Sequence, residues 1–170
     1  QQQKKFLLED LSPNILELQP LLLEKADKVI TKLSPLIDIH YLLNILNKVV
    51  RIEVIALRNE VKEVLVIQEP HSTIDEVEIR CVNLESEDPI LSFTNRELSA
   101  SEVSYSSPKS YLYISNNALL KSGAFNYIAM YFGLEKLDIN THLYTSAELK
   151  KPFPGRILEV TPIHHKQIKA

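Results

Sequence analysis

Apolar residues recur along this chain in two periods, and their alternation predicts a mixed α/β order. Ser12-Pro13 has the form of an N-cap followed by proline at the first helical position. Ile15, Leu18 and Leu22 then make an i, i+3, i+7 stripe that Pro20 should kink or restart. Residues 28–33 (KVITKL) form a short β-branched run, hence a strand. The Ser-Pro pair recurs at Ser34-Pro35 and is expected to open a second helix, with Leu36, Ile39, Leu43 and Leu46 on one face. In residues 49–57 (VVRIEVIAL), Ile52, Val54 and Ala56 alternate with Arg51, Glu53 and Ile55. A tight Arg58-Asn59-Glu60 connection leads into another strand over 61–68. Strands separated by helices imply a parallel sheet, and the closing hairpin implies an antiparallel edge.

Further on, Val77, Ile79 and Cys81 alternate in a strand that residues 90–93 can pair with across the 85–89 turn. Residues 95–110 hold six serines and little apolar periodicity, the composition of a linker. Residues 111–114 read as a strand. Asn116 or Asn117 can then cap a helix whose Leu120, Ala124, Ile128 and Phe132 share a face, with Gly133 suited to its C-terminal turn. Residues 141–145 and 156–160 are short strand candidates.

Composition narrows the function classes. At 170 residues and 45% apolar, the chain can bury a real core. Glycine occurs only at 123, 133 and 155, so neither G-x-G-x-x-G nor G-x-x-x-x-G-K exists here and a glycine-rich phosphate cradle is excluded from this chain. The lone Cys81 excludes an intramolecular disulfide and any multi-cysteine zinc site, and it reads as a small buried apolar residue. The histidines, His40, His71, His142, His164 and His165, have no ligand spacing with carboxylates, so no metal is expected. No apolar run reaches 18 residues, so no transmembrane helix is expected and the reading is a cytoplasmic protein. The opening Gln1-Gln2-Gln3-Lys4-Lys5 lacks an initiator Met, which suggests a piece of a longer protein or residual tag sequence. Net charge is −3, distributed as −1 over 1–70, −5 over 71–110 and +3 over 111–170, which points to a polyanion surface at the back.

Seven strings in order resemble a bacterial group of class I S-adenosylmethionine-dependent methyltransferases carrying a ferredoxin-like and a THUMP-like extension. They are Glu9-Asp10-Leu11-Ser12-Pro13, Lys32-Leu33-Ser34-Pro35-Leu36-Ile37-Asp38, Asn59-Glu60-Val61-Lys62-Glu63, Tyr111-Leu112-Tyr113, Leu120-Lys121-Ser122-Gly123-Ala124-Phe125, His142-Leu143-Tyr144-Thr145-Ser146 and Phe153-Pro154-Gly155-Arg156. The resemblance implies the C-terminal portion of a Rossmann-like methyltransferase sheet over 1–94, ending in its antiparallel edge hairpin. A Ser-rich linker over 95–110 follows, then a small α+β, ferredoxin-like domain over 111–156 and the start of a THUMP-like segment over 157–170. It implies S-adenosylmethionine as cofactor of the intact protein, with the main cofactor loop outside this chain, and RNA as a partner. The missing N-terminal half of the same protein, or self-association through an exposed sheet edge, would then complete the sheet. The sequence departs from the family pattern after Tyr113, where an acidic residue and a proline are replaced by Ile114 and Ser115.

Two groups of residues are candidates for chemistry. Lys32, Ser34 and Asp38 sit where a strand ends and a helix begins, the place where open α/β sheets bind ligands, so they are candidates to border cofactor or substrate. The competing reading makes Ser34 a helix cap and Asp38 a charge that favours the helix N-terminus. Lys150, Lys151 and Arg156 flank a Pro-Phe-Pro-Gly turn and are candidates for RNA phosphates, with Phe153 stacking on an unpaired base or, alternatively, folded into the core. Two alternatives to an enzyme stay open: a non-catalytic RNA-binding accessory module, and a structural or oligomerisation domain.

Overall fold

A computed structural model describes residues 7–162. After a 3-10 turn at Leu8–Asp10, the chain runs α1 (Ile15–Lys25), β1 (Val29–Leu33), α2 (Ile39–Ile45), β2 (Val49–Leu57), β3 (Glu60–Gln68), β4 (Glu78–Leu84), β5 (Leu91–Thr94) and α3 (Asn95–Ala100). It continues with β6 (Tyr111–Ser115), α4 (Asn117–Ser122), α5 (Phe125–Phe132), β7 (Glu135–Lys136), β8 (Leu143–Ser146) and β9 (Gly155–Glu159). The strands make two sheets, a five-stranded one in the order β1-β3-β2-β4-β5 and a four-stranded one in the order β7-β8-β6-β9.

The alternating segments fold as their pattern predicts. Ile52, Val54 and Ala56 of β2 and Val64 and Val66 of β3 are fully buried, with Ile79 and Cys81 of β4 beside them. The β2–β3 connection works because Arg58 and Asn59 both adopt left-handed backbone (φ 49° and 66°), the geometry of a two-residue hairpin turn.

Topology is where the sequence reading needs correction. The first sheet is not parallel: β1 and β2 run in the same direction, but β3 lies between them, antiparallel to both. The only parallel pair among the described strands is β2 with β4. The hairpin is not an edge either, because β4 and β5 extend the sheet beyond β2. A helix between two strands orients them alike; it does not make them neighbours.

Local signals shift too. The helix caps are Asn14 and Asp38, whose side chains accept from Leu16 N (3.0 Å) and Tyr41 N (2.8 Å), rather than Ser12 and Ser34. Helix α1 runs through Pro20 without restarting, and Leu36 lies outside α2 and is exposed. The helix expected from Asn116 to Gly133 breaks at Gly123, whose left-handed φ of 75° ends α4. A Cβ there would lie 2.9 Å from His40 Nε2, so the break also lets α2 approach closely. The expected linker begins with α3, fixed by a complete capping box between Thr94 and Glu97. Its later part lies along β7, with Ser106 N donating to Lys136 O (3.0 Å) and Lys136 N to Ser104 O (2.9 Å).

One core joins the two sheets. Helix α4, which follows the first strand of the second sheet, packs on β2, β3 and β4 of the first. Its Ala118 and Leu119 are buried in the same apolar cluster as Ile52 and Val54. Phe93 of β5 meets Tyr127 of α5 with ring centroids 4.7 Å apart.

Candidate functional site at the junction of the two sheets

The polar chemistry of this molecule concentrates where the β2–β3 turn, the β4–β5 loop and the ends of β6 and β9 converge. Asp88 is the centre. Its Oδ2 accepts from Asn83 Nδ2 (2.8 Å) and Asn116 Nδ2 (2.9 Å), and its Oδ1 accepts from Gly155 N (3.1 Å). Gly155 can present its N–H here because it has φ 141° and no side chain; a Cβ would sit 2.2 Å from Ile114 O. Asn116 also caps α4 through Oδ1 to Leu119 N (3.0 Å), and its own N donates to Pro154 O (3.0 Å).

A second pair of amides closes the junction. Asn59 Oδ1 accepts from Asn117 N (2.7 Å), and Asn117 Nδ2 donates to Asn59 O (2.6 Å). Asn59 N donates in turn to Asn83 Oδ1 (2.7 Å). The crevice between these groups measures about 270 Å³ and is lined by the four asparagines, Asp88, Ile114, Ser115, Leu120, Gly155 and Arg156. None of the asparagines, nor Asp88, was singled out by sequence reasoning as a site residue. Asn and Asp in turns are too common to stand out, and their convergence depends on contacts up to 67 residues apart.

The sequence candidates fall in two other places. At the carboxyl end of β1, Ser34 Oγ accepts from Leu36 N (3.3 Å), Asp38 caps α2, and Lys32 pairs with Glu63 across the strand (3.1 Å). Each polar group there is used locally. Lys150 pairs with Glu148 (3.1 Å), and its N–H donates to Tyr113 Oη (2.8 Å); Lys151 is exposed. Phe153 corrects the stacking expectation. It is 6% exposed and meets Tyr113 and Phe132 edge-on, each at 5.1 Å, so its ring belongs to the core. Arg156 is exposed on the opposite face of the second sheet, paired in register with Ile114, and it is the one cationic candidate that borders the crevice. The segment expected to start a THUMP-like region begins inside β9 and continues from residue 163 outside the described residues.

Burial sets the titration of the nearby groups. It pushes the Cys81 thiol up to about 12, with Ser122 pulling slightly the other way. Tyr144 is likewise pushed up by burial, and its hydroxyl adjoins Ser115 Oγ without completing a well-formed hydrogen bond. Among the described residues, no group of three or more His, Cys, Asp or Glu side chains is arranged to hold a metal ion. No helix among them is long and apolar enough to cross a membrane.

The architecture is thus a mixed α/β structure with two sheets. Residues 111–154 match the model of a ferredoxin-like domain family, which accounts for most of the second sheet and its two helices. Over 91% of its length, the chain is similar to a putative methyltransferase from Porphyromonas gingivalis W83 known from a crystal structure, at 36% identity and a TM-score of 0.84. It spans 40% of the length of that chain. No curated protein matches it. In fold and sequence, the chain is therefore related to a region of a methyltransferase-type protein.

Proposed function

We propose that this chain is the C-terminal part of a class I S-adenosylmethionine-dependent methyltransferase that acts on RNA. The observation that carries the reading is the likeness to the Porphyromonas gingivalis protein, because 36% identity over nearly the whole chain exceeds what shared architecture alone requires. Two further features support it. The β1-β3-β2 order, with β3 antiparallel between two like-directed strands, is consistent with the end of a Rossmann-like methyltransferase sheet. The ferredoxin-like domain follows it, as the resemblance implies. We place its boundaries at 111–156, with the methyltransferase-like part over 1–94 and the THUMP-like segment from 157.

The residues of this chain do not fit a S-adenosylmethionine cradle. At the carboxyl end of β1, where such a ligand would lie, Ser34 Oγ and Asp38 Oδ1 accept from Leu36 N and Tyr41 N, and Lys32 pairs with Glu63. The glycines lie in the ferredoxin-like part or at its end. No step of methyl transfer is assigned to these side chains, and the chain's own role is support and substrate contact.

The test is methyl transfer from radiolabelled S-adenosylmethionine to bulk cellular RNA, using the longer protein that contains this chain. Incorporation that disappears on ribonuclease treatment is expected. Label resisting ribonuclease and appearing in protein would overturn the RNA assignment, and no label in any acceptor would overturn the enzymatic one. Calorimetry of residues 1–170 alone with S-adenosylmethionine should show no binding.

A further inference from the structure

The crevice at Asp88 has a composition that selects a ligand class. At about 270 Å³ it lies just under the roughly 300 Å³ at which ordinary small-ligand sites begin, so it has room for one ring system and not for a dinucleotide or an extended cofactor. Ile114 and Leu120 supply apolar wall. The Asp88 carboxylate accepts from three neutral donors and binds the scaffold together, which disfavours a bare anion or a metal ion at that wall.

What the scaffold does not use is more informative. Among the described residues, no hydrogen bond engages Asn59 Nδ2 or Asn117 Oδ1, although the other halves of both amides are fixed. One donor and one acceptor are therefore left over by two exposed asparagines hydrogen-bonded to each other, the kind of groups that amide side chains offer to the edge of a nucleobase. Arg156, with no ion pair among the described residues, stands in the same wall on the solvent side, where a phosphate could reach it. An apolar ligand would leave the amides unanswered, and a simple anion would leave the apolar wall unused.

We propose that this crevice binds a single nucleoside 5′-monophosphate unit, with its base between Ile114 and Leu120 against Asn59 and Asn117, and its phosphate on Arg156. The unit can be an unpaired nucleotide of RNA, in which case the site rests on the RNA reading above, or a free nucleotide.

The test is amide-resolved NMR titration of the chain with AMP, CMP, GMP and UMP, with the corresponding nucleosides, ribose 5-phosphate and inorganic phosphate as controls. At least one nucleotide should bind at least tenfold more tightly than ribose 5-phosphate, with shifts centred on Asn59, Ile114, Asn117 and Arg156. Asn59→Gly keeps the left-handed turn and removes the amide; it should weaken that nucleotide about tenfold. Arg156→Gln, an exposed change, should remove the preference for nucleotide over nucleoside while leaving the spectrum of the free protein intact. Equal binding of inorganic phosphate, or nucleotide shifts centred elsewhere, would overturn the site. Single-stranded RNA binding and mononucleotide binding that both variants leave unchanged would overturn the site and spare the RNA reading. Nucleotide binding here with no RNA binding would support the site as one for free nucleotides and count against the RNA reading.

Discussion

The carboxyl end of β1 and the Asp88 junction are both turns rich in polar side chains, yet they are built differently. At the first, the side-chain hydrogen bonds of Ser34 and Asp38 span two and three residues. At the second, beside two short ones of 3 and 5, they span 24, 28, 58 and 67. Short-range bonds fix a turn and cap a helix, and they tie no distant element to it. Long-range bonds tie separate parts of the chain together; Asn83 and Asn116 are engaged at both ends of their amides, while Asn59 and Asn117 are fixed at one end and leave a donor and an acceptor over for a ligand.

The sharpest way to break this comparison is to attack the core behind the junction. Phe153→Ala removes a buried ring packed between Tyr113 and Phe132 and should destabilise the protein by about 3–5 kcal/mol. In a chain of this size, that corresponds to a fall of about 6–20 °C in the thermal midpoint, measured by calorimetry. An unchanged midpoint would show that the ring is not a core residue.

Next in size is Asp88→Ala, which leaves two side-chain donors and the Gly155 N–H without their acceptor. A loss of about 3 kcal/mol is expected, against about 1 kcal/mol or less for Asp88→Asn, which keeps one acceptor oxygen. Cys81 reports on the same joint, because it is buried beside Ser122 of α4. Its thiol lies well above the unfolded value of about 8.5, so burial of the neutral form adds stability that is complete below that pH and is lost as pH rises toward about 12. Thiol reagents at pH 8 should therefore react slowly with the native protein and faster with Asp88→Ala. Equal rates would separate the joint from the core beneath it.

The smallest effect belongs to the β1 end. Asp38→Ala removes one cap and should cost about 1 kcal/mol, read from a denaturant midpoint, without altering the environment of Cys81.

What could be read from the amino-acid order follows the same division. The strands of the β2–β3 hairpin were legible because alternation is local and both of their faces differ. The break at Gly123 was masked by a continuous apolar stripe from Leu120 to Phe132, although the glycine itself was visible. The neighbour of β1 was not legible, because the choice between β2 and β3 is made by contacts dozens of residues away. Asp88 was invisible for the same reason: in sequence it is one acidic residue in an acidic turn. Arg156 stands out by its charge alone, and the stacking expectation for Phe153 is corrected because an aromatic in a basic turn looks the same whether its ring faces water or core.

The sharing of α4 between the sheets has a consequence for how this polypeptide can be cut. Residues 101–103 lie in an irregular stretch between α3 and the segment along β7, so a protease nick there severs no strand or helix. Yet the downstream piece carries the helix that roofs the upstream sheet, and the upstream piece carries the Asp88 acceptor that the downstream Asn116 and Gly155 need. The two pieces are thus halves of one lock rather than two beads on a string. Co-expressed as separate polypeptides, they should find each other and purify together, each incomplete in the other's absence.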